Sequence, residues 1–261
     1  MKHLLLVALC SAVTISAQTA APCSVSSVSQ YMVALPHIAY GGTWRTQIVV
    51  GNTGAAAAAV TLCYFGDNGA PLNVAINGVS STYTALTIPA NGQQVVEPDW
   101  AGVPPNSEGW VGLLSSAAAL KIHGIFLWQN PPPAPAGQYT QAAAPIVSLA
   151  GTACINPLPS GGSALTLPYD ETQPQFSAYG FANTMAAPVT LSLTFYDQNG
   201  VLAGQYSDST PLAAFGHESF AIESKVPTLA NTRGTMVITG QGIVPLGFRF
   251  NPNGTFMTWL P

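Results

Sequence analysis

Apolar and polar positions alternate with a period of two in residues 60–64 and again in residues 191–195. Because successive side chains of a β-strand point to opposite faces, this alternation predicts two half-buried strands. The positions predicted to face a core are Val60, Leu62, Tyr64, Leu191, Leu193 and Phe195, and those predicted to face outward are Thr61, Cys63, Ser192 and Thr194. Each run leads into an Asn-Gly pair, at residues 68–69 and 199–200, which predicts a two-residue hairpin turn.

The two runs belong to a longer internal repeat. Asn52-Thr53 and Asn183-Thr184 precede the two strands at one constant offset of 131 residues, which also relates the two Asn-Gly pairs. Weaker matches flank this block, among them Gly92 with Gly216. A period of this length predicts two homologous domains rather than a solenoid of short units.

Short β-branched runs separated by Gly, Pro and Asn recur in both copies, and no convincing helical periodicity interrupts them. The sequence therefore predicts an all-β protein with two tandem immunoglobulin-like or jelly-roll-like β-sandwich domains after a signal peptide. The expected boundaries are 1–17 for the signal peptide, 18–32 for an N-terminal segment, 33–149 for the first domain, 150–164 for a linker and 165–261 for the second domain.

The N-terminal residues have the pattern of a secretory signal. Lys2 and His3 precede an apolar stretch over residues 4–15, and Ile15-Ser16-Ala17 offers small residues for cleavage before Gln18. The stretch is shorter than the ~20 apolar residues of a membrane span. A lipoprotein signal ending at Cys10 is the alternative, but Leu9 before it is not small. We expect a secreted or cell-surface protein, extracellular or periplasmic, with no membrane span.

Charged residues make up only 6% of the chain, with six lysines and arginines against ten acids and a net charge of −4. So few cations, spread along the chain, form no basic patch. This excludes counterion-release binding to nucleic acid and attraction to anionic lipid.

Three cysteines follow the signal: Cys23, Cys63 and Cys154. An oxidising compartment permits a disulfide. A bridge between Cys23 and Cys154 would staple the two ends of the first domain and leave Cys63 as a spare thiol. Three free cysteines are the alternative.

Several motifs resemble a known family. The second copy resembles a recurrent domain of uncharacterised secreted acidobacterial proteins, and residues 41–46 of the first copy resemble the partner domain that usually precedes it. The motifs of the second copy are Leu167-Pro168-Tyr169-Asp170, Gly180-Phe181-Ala182-Asn183, Gly216-His217, Asn231-Thr232-Arg233-Gly234-Thr235 and the run from Leu246 to Pro252. The resemblance implies a pair of extracellular β-sandwiches and carries over no catalytic or binding residue.

Residues with reactive side chains are not shared between the copies. The aligned pairs are His37 with Tyr169, His123 with Leu246, Gln93 with His217, Glu108 with Arg233 and Asp67 with Gln198. His217-Glu218 has the start of a zinc-protease motif, but Ala221 stands where the second histidine would be. The Asp67 and Asp197 turns lack the later glutamate of a calcium loop. Asp170 and Glu171 are adjacent in a predicted strand and point apart. We therefore expect no catalytic residue, metal or cofactor.

Two hypotheses of function remain. The first is a non-catalytic extracellular interaction module whose partner is a protein, matrix or glycan. The second is a carbohydrate-binding module in which Trp44 and Trp100, both in loop-like contexts, stack on sugar faces. Burial of these two rings as lids on the core is the alternative for either hypothesis.

Overall fold

The computed structural model describes residue 23 and residues 31–105, 107–117, 119–129, 139–144, 164–251 and 255–259. Regular structure in these residues is almost entirely antiparallel β-sheet, which confirms the all-β prediction. The helical elements among them are the one-turn helix α1 (Ile222–Lys225) and a 3-10 turn (Pro227–Leu229). No helix in this described part is long and apolar enough to cross a membrane.

Residues 31–144, here the first half, form two four-stranded sheets and a separate hairpin. The strands are β1 (Tyr31–Tyr40), β2 (Trp44–Asn52), β3 (Ala58–Phe65), β4 (Val74–Ile76), β5 (Val79–Ser81), β6 (Tyr83–Ile88), β7 (Gln93–Val96), β8 (Ser107–Ser115), β9 (Leu120–Gln129) and β10 (Tyr139–Ala144). One sheet has the order β1-β8-β3-β6 and the other β10-β9-β2-β7, and β4 pairs with β5 alone.

Residues 165–259, here the second half, form two further four-stranded sheets. Their strands are β11 (Leu165–Asp170), β12 (Phe176–Asn183), β13 (Ser192–Asp197), β14 (Leu202–Ser207), β15 (His217–Ala221), β16 (Arg233–Thr239), β17 (Ile243–Phe250) and β18 (Phe256–Trp259). The orders are β11-β16-β13-β14 and β15-β12-β17-β18. With β4 and β5 set aside, the strands of each half therefore pair as 1-6-3-4 and 8-7-2-5, and no sheet of the described residues contains strands of both halves.

Each half has its own apolar core between its two sheets. The predicted inward positions Val60, Leu62 and Tyr64 are buried in the first core, as are Leu193 and Phe195 in the second. In the first core, β1, β3 and β8 of one sheet face β2, β7 and β9 of the other. The alternation predicted for β3 and β13 is thus confirmed.

The Asn-Gly turns differ from the prediction of two-residue loops. Gly69 and Gly200 have φ of 76° and 78°, whereas Asn68 and Asn199 do not have positive φ. In the second half, the hairpin closes around a longer loop in which the amide of Gly200 donates to the carbonyl of Asp197. A single left-handed residue suffices there, because the loop is longer than a two-residue primed turn.

The second half packs against the first through the outer face of its β15-β12-β17-β18 sheet. Along β17, Leu246, Phe248 and Phe250 form one buried cluster with Phe126 of β9, and Trp44 packs against its edge. β12 and β17 are therefore buried on both faces, and their sequences are accordingly apolar at almost every position.

The predicted disulfide between Cys23 and Cys154 is wrong. Cys23 is bonded to Cys63, with a Cα–Cα distance of 5.8 Å, and Cys154 lies outside the described residues. Cys63 does point away from the core of the first half, as the alternation predicts. However, Phe215 and Val244 of the second half cover this end of β3, together with Cys23, so Cys63 is only 1% exposed.

Candidate functional site

A cleft of about 190 Å³, here the interhalf cleft, lies where the two halves meet. The first half lines it with His37, Trp44 and Glu108, and the second with Ser219 and Phe250 among others. Several further aromatic rings, those of Tyr179, Phe220 and Phe248, line the same space. The cleft therefore combines apolar walls with a few polar groups, the usual composition of a ligand site.

Local backbone features place the first-half residues of the cleft. The β1–β8 ladder shifts register between Leu35 and Ile38, around Pro36, which has no N–H to donate. His37 lies within this irregular stretch, directly after Pro36. Trp44 begins β2 directly after a tight turn in which Gly41 has φ of 85°, and a side chain at Gly41 would strike the carbonyl oxygen of Pro104 at 2.4 Å.

Three polar side chains form a hydrogen-bonded chain across the interface, here the imidazole chain. Asp67 Oδ1 lies 2.8 Å from Nδ1 of His217, and Nε2 of His217 lies 3.0 Å from Nδ1 of His37. The side chain of His217 is fully buried, whereas that of Asp67 is 59% exposed. The ring of His217 from the second half thus links an exposed carboxylate of the first half to the ring of His37, also of the first half, in the interhalf cleft.

The carboxylate of Asp67 determines which nitrogen of His217 donates to it. A carboxylate only accepts, so Nδ1 of His217 donates to Asp67. In the bond between Nε2 of His217 and Nδ1 of His37, either ring nitrogen can be the donor. Burial, reinforced by the neighbouring His217, holds the pKa of His37 well below its ordinary value, so this ring is neutral.

Glu108 and Ser219 form a second polar link across the cleft. The hydroxyl of Ser219 donates to Oε2 of Glu108 at 2.5 Å. Burial raises the pKa of Glu108, and the hydrogen bond from Ser219 and the nearby His217 partly oppose this rise. The serine hydroxyl is therefore bound to a carboxylate rather than to an imidazole in this arrangement.

The structure separates the two tryptophans predicted to bind sugar. Trp44 lines the interhalf cleft and stacks on Trp128, with ring centroids 5.7 Å apart. Trp100 does not line the cleft; the guanidinium of Arg45 lies 5.1 Å from the centre of its ring. Arg45 also forms an ion pair with Glu97. Both tryptophans are half-buried, and of the two only Trp44 lines the cleft.

The candidate metal and acid residues have structural partners. His217 lies in strand β15 rather than a helix, and no group of three His, Cys, Asp or Glu in the described residues is arranged to hold a metal. Asp197 accepts the amides of Asn199 and Val201 within its own turn.

The adjacent acids have separate partners. Asp170 accepts from Arg249, while the fully buried Glu171 accepts the amide of Ser177.

Sequence reasoning missed this cleft because it sought residues shared by the copies. His37, Glu108 and His217 each lack a counterpart in the other copy, and they meet only because the two halves dock through different faces. The sequence signal for this cleft was instead the set of polar residues that have no counterpart in the other copy.

Comparison with known proteins adds no relative: no family model, curated protein or solved structure matches the chain. The resemblance to secreted acidobacterial domains therefore stays a prediction.

Proposed function

We propose that the chain is a secreted, non-catalytic interaction module that holds its ligand in the interhalf cleft. The observation that carries this proposal is the cleft itself, a concave site with aromatic walls and convergent polar groups from both halves. The hydroxyl of Ser219 is bound to Glu108, which favours recognition over nucleophilic attack.

Export is part of the same proposal. The signal-like residues 1–17 support it, and the bond between Cys23 and Cys63 suits an oxidising compartment. Sequencing of the secreted protein is expected to give Gln18 as the first residue. Retention of the protein in the cytoplasm would contradict export.

We infer also that the two halves are tandem copies of one ancestral domain. The common pairing order of their strands supports this inference, together with the constant sequence offset of 131 residues. The cleft lies between the copies, so its residues are free to differ from one copy to the other.

The test is an array of extracellular proteins and polysaccharides probed with residues 18–261. We expect at least one saturable partner that is recovered chemically unchanged. Trp44→Ala weakens its retention, whereas Trp100→Ala, outside the cleft, does not. Thermal unfolding of both variants controls for loss of fold. No partner, or a partner that is cleaved, would contradict the proposal.

A carbohydrate-binding module is the second candidate function. The observation in its favour is that Trp44 and Phe250 both line a cleft that also contains a carboxylate. Retention on polysaccharide alone, lost in Trp44→Ala, would select this candidate. Retention that depends on Trp100 would move the site to the other tryptophan.

A further inference from the structure

The carboxylate of Glu108 in the interhalf cleft has acceptor capacity left for a ligand. Glu108 uses Oε2 to accept from Ser219, which leaves Oε1 as an acceptor. Nε2 of His37 makes no hydrogen bond to any described residue. A ligand that donates a hydrogen bond can therefore bind Oε1 of Glu108.

Glu108 also forms no ion pair with a lysine or arginine of the described residues. Among the described residues, lysine and arginine form ion pairs with other acids, namely Glu97, Asp170 and Glu218. Burial removes hydration from this carboxylate, and the hydrogen bond from Ser219 and the nearby His217 offset that loss only in part, which is consistent with the raised pKa of Glu108. A ligand that brings a positive charge to this carboxylate would remove that cost.

The walls of the cleft are also suited to a cation. The rings of Trp44, Phe248 and Phe250 line it, and the faces of aromatic rings attract ammonium groups within about 6 Å of their centres. The chain carries a net charge of −4, which further favours a cationic ligand over an anionic one.

We propose that the interhalf cleft binds an organic ammonium group, with Glu108 as its counter-ion and hydrogen-bond acceptor and Trp44 as an aromatic wall. This inference rests on the proposed function, because it identifies the ligand of that same site. The cleft of about 190 Å³ is smaller than the roughly 300–1,000 Å³ of sites for drug-sized molecules. It suits one aliphatic arm that ends in an ammonium, whether a lysine side chain of a partner protein or a small free amine.

The test is calorimetric titration of residues 18–261 with n-butylammonium chloride and, separately, with 1-butanol, at constant ionic strength. We expect saturable binding of the ammonium and binding of the alcohol about ten- to a hundredfold weaker, since a hydrogen bond between charged groups is lost. This comparison uses the unaltered protein, so it does not depend on how any variant folds. Equal affinity for the two probes, or no binding of the ammonium, would overturn the inference.

Two variants locate the ammonium at the cleft. Glu108→Gln is expected to weaken butylammonium binding about ten- to a hundredfold. Glu223→Gln on helix α1, outside the cleft, leaves it unchanged. Unchanged affinity in Glu108→Gln would overturn the assignment of the counter-ion.

Further probes distinguish a protein lysine from a free amine as the source of the ligand. They also distinguish failure of the ammonium inference from failure of the proposed function. Binding of the peptide acetyl-Gly-Lys-Gly-amide, but not of its acetyl-lysine form, supports a protein lysine; binding of butylammonium alone supports a free amine. Binding of methyl β-glucopyranoside without binding of butylammonium overturns the ammonium while preserving the cleft as a binding site. Absence of any array partner contradicts the proposed function itself.

Discussion

Asn52 and Asn183, 131 residues apart, make the same hydrogen bonds in the two halves. Each side-chain amide donates to the carbonyl four residues later, and each side-chain oxygen accepts the amide two residues later. Each amide also donates to two successive carbonyls. For Asn52 these are the carbonyls of Ile88 and Pro89, just before β7, and for Asn183 those of Leu212 and Ala213, before β15. One buried asparagine side chain thus connects two loops of each half through hydrogen bonds.

Replacement of either asparagine by alanine should destabilise its half. Asn52→Ala and Asn183→Ala each leave carbonyls without donors, at about 1–3 kcal/mol for each buried group left unpaired. We expect both to lower the free energy of unfolding measured in urea, while Asn73→Ala at an exposed position changes it little. A loss in only one of the two asparagine variants would contradict their equivalence.

Gly180 makes the close packing of the halves possible. A Cβ at this position would lie 2.8 Å from Cβ of His37, whereas a Cβ at Gly51 in β2 would meet nothing within 4 Å. We expect Gly180→Ala to lower the free energy of unfolding by about 1–3 kcal/mol through overpacking, and Gly51→Ala to be neutral or slightly stabilising. Equal effects of the two substitutions in thermal unfolding would show that this contact is not tight.

The bond between Cys23 and Cys63 can be tested chemically. Peptide mapping under non-reducing conditions is expected to recover these two cysteines in one linked peptide, and Cys154→Ser should leave that link intact. Because the bridge closes a loop with a sequence separation of 40, chain entropy predicts that Cys63→Ser costs up to about 4 kcal/mol of stability. A link between Cys23 and Cys154 would contradict the structure.

Glu171 should make stability depend on pH. Burial, together with nearby Asp170 and Glu223, raises the pKa of this carboxyl to about 7 from an ordinary 4.5, although the hydrogen bond from Ser177 opposes the rise. Below 4.5 the carboxyl is protonated in both the folded and the unfolded state. Between 4.5 and about 7 mainly the unfolded state ionises, so the stabilising contribution is lost as pH rises.

The measurement is urea unfolding across this pH range for the native chain and for Glu171→Gln. We expect the stability of the native chain relative to the variant to fall by on the order of 3 kcal/mol between pH 4.5 and 7. The difference between the two proteins removes the opposite contribution of His37, whose lowered pKa makes the chain less stable as pH falls below 6.5. A difference that does not vary with pH would contradict the raised pKa.

The fold was readable from the sequence where a strand has one buried face. The alternation around Leu62 and Leu193 predicts their burial, and the constant offset places the strands that carry them in equivalent positions. How the two halves dock was harder to predict from the sequence. The apolar runs of β12 and β17 did indicate strands that are buried on both faces.

The candidate site could not be predicted from local pattern. The contact between His37 and His217 joins residues 180 positions apart, and it depends on which faces of the two halves meet. The burial of Cys63 depends on the same docking, since the second half covers the outer face on which this cysteine lies. Period and composition describe one strand at a time and carry no information about such a contact.

The central claim is that an organic ammonium is held between the two halves, and the most direct test is NMR mapping of the contact. Isotope-labelled residues 18–261 would be titrated with butylammonium while the backbone amide and indole signals are followed. The account predicts saturable shifts at the indole of Trp44 and at the amides of Gly180 and Ser219, which line the cleft. Shifts confined to the face formed by Ala59, Thr61 and Ala85, or no saturable shift at all, would contradict it.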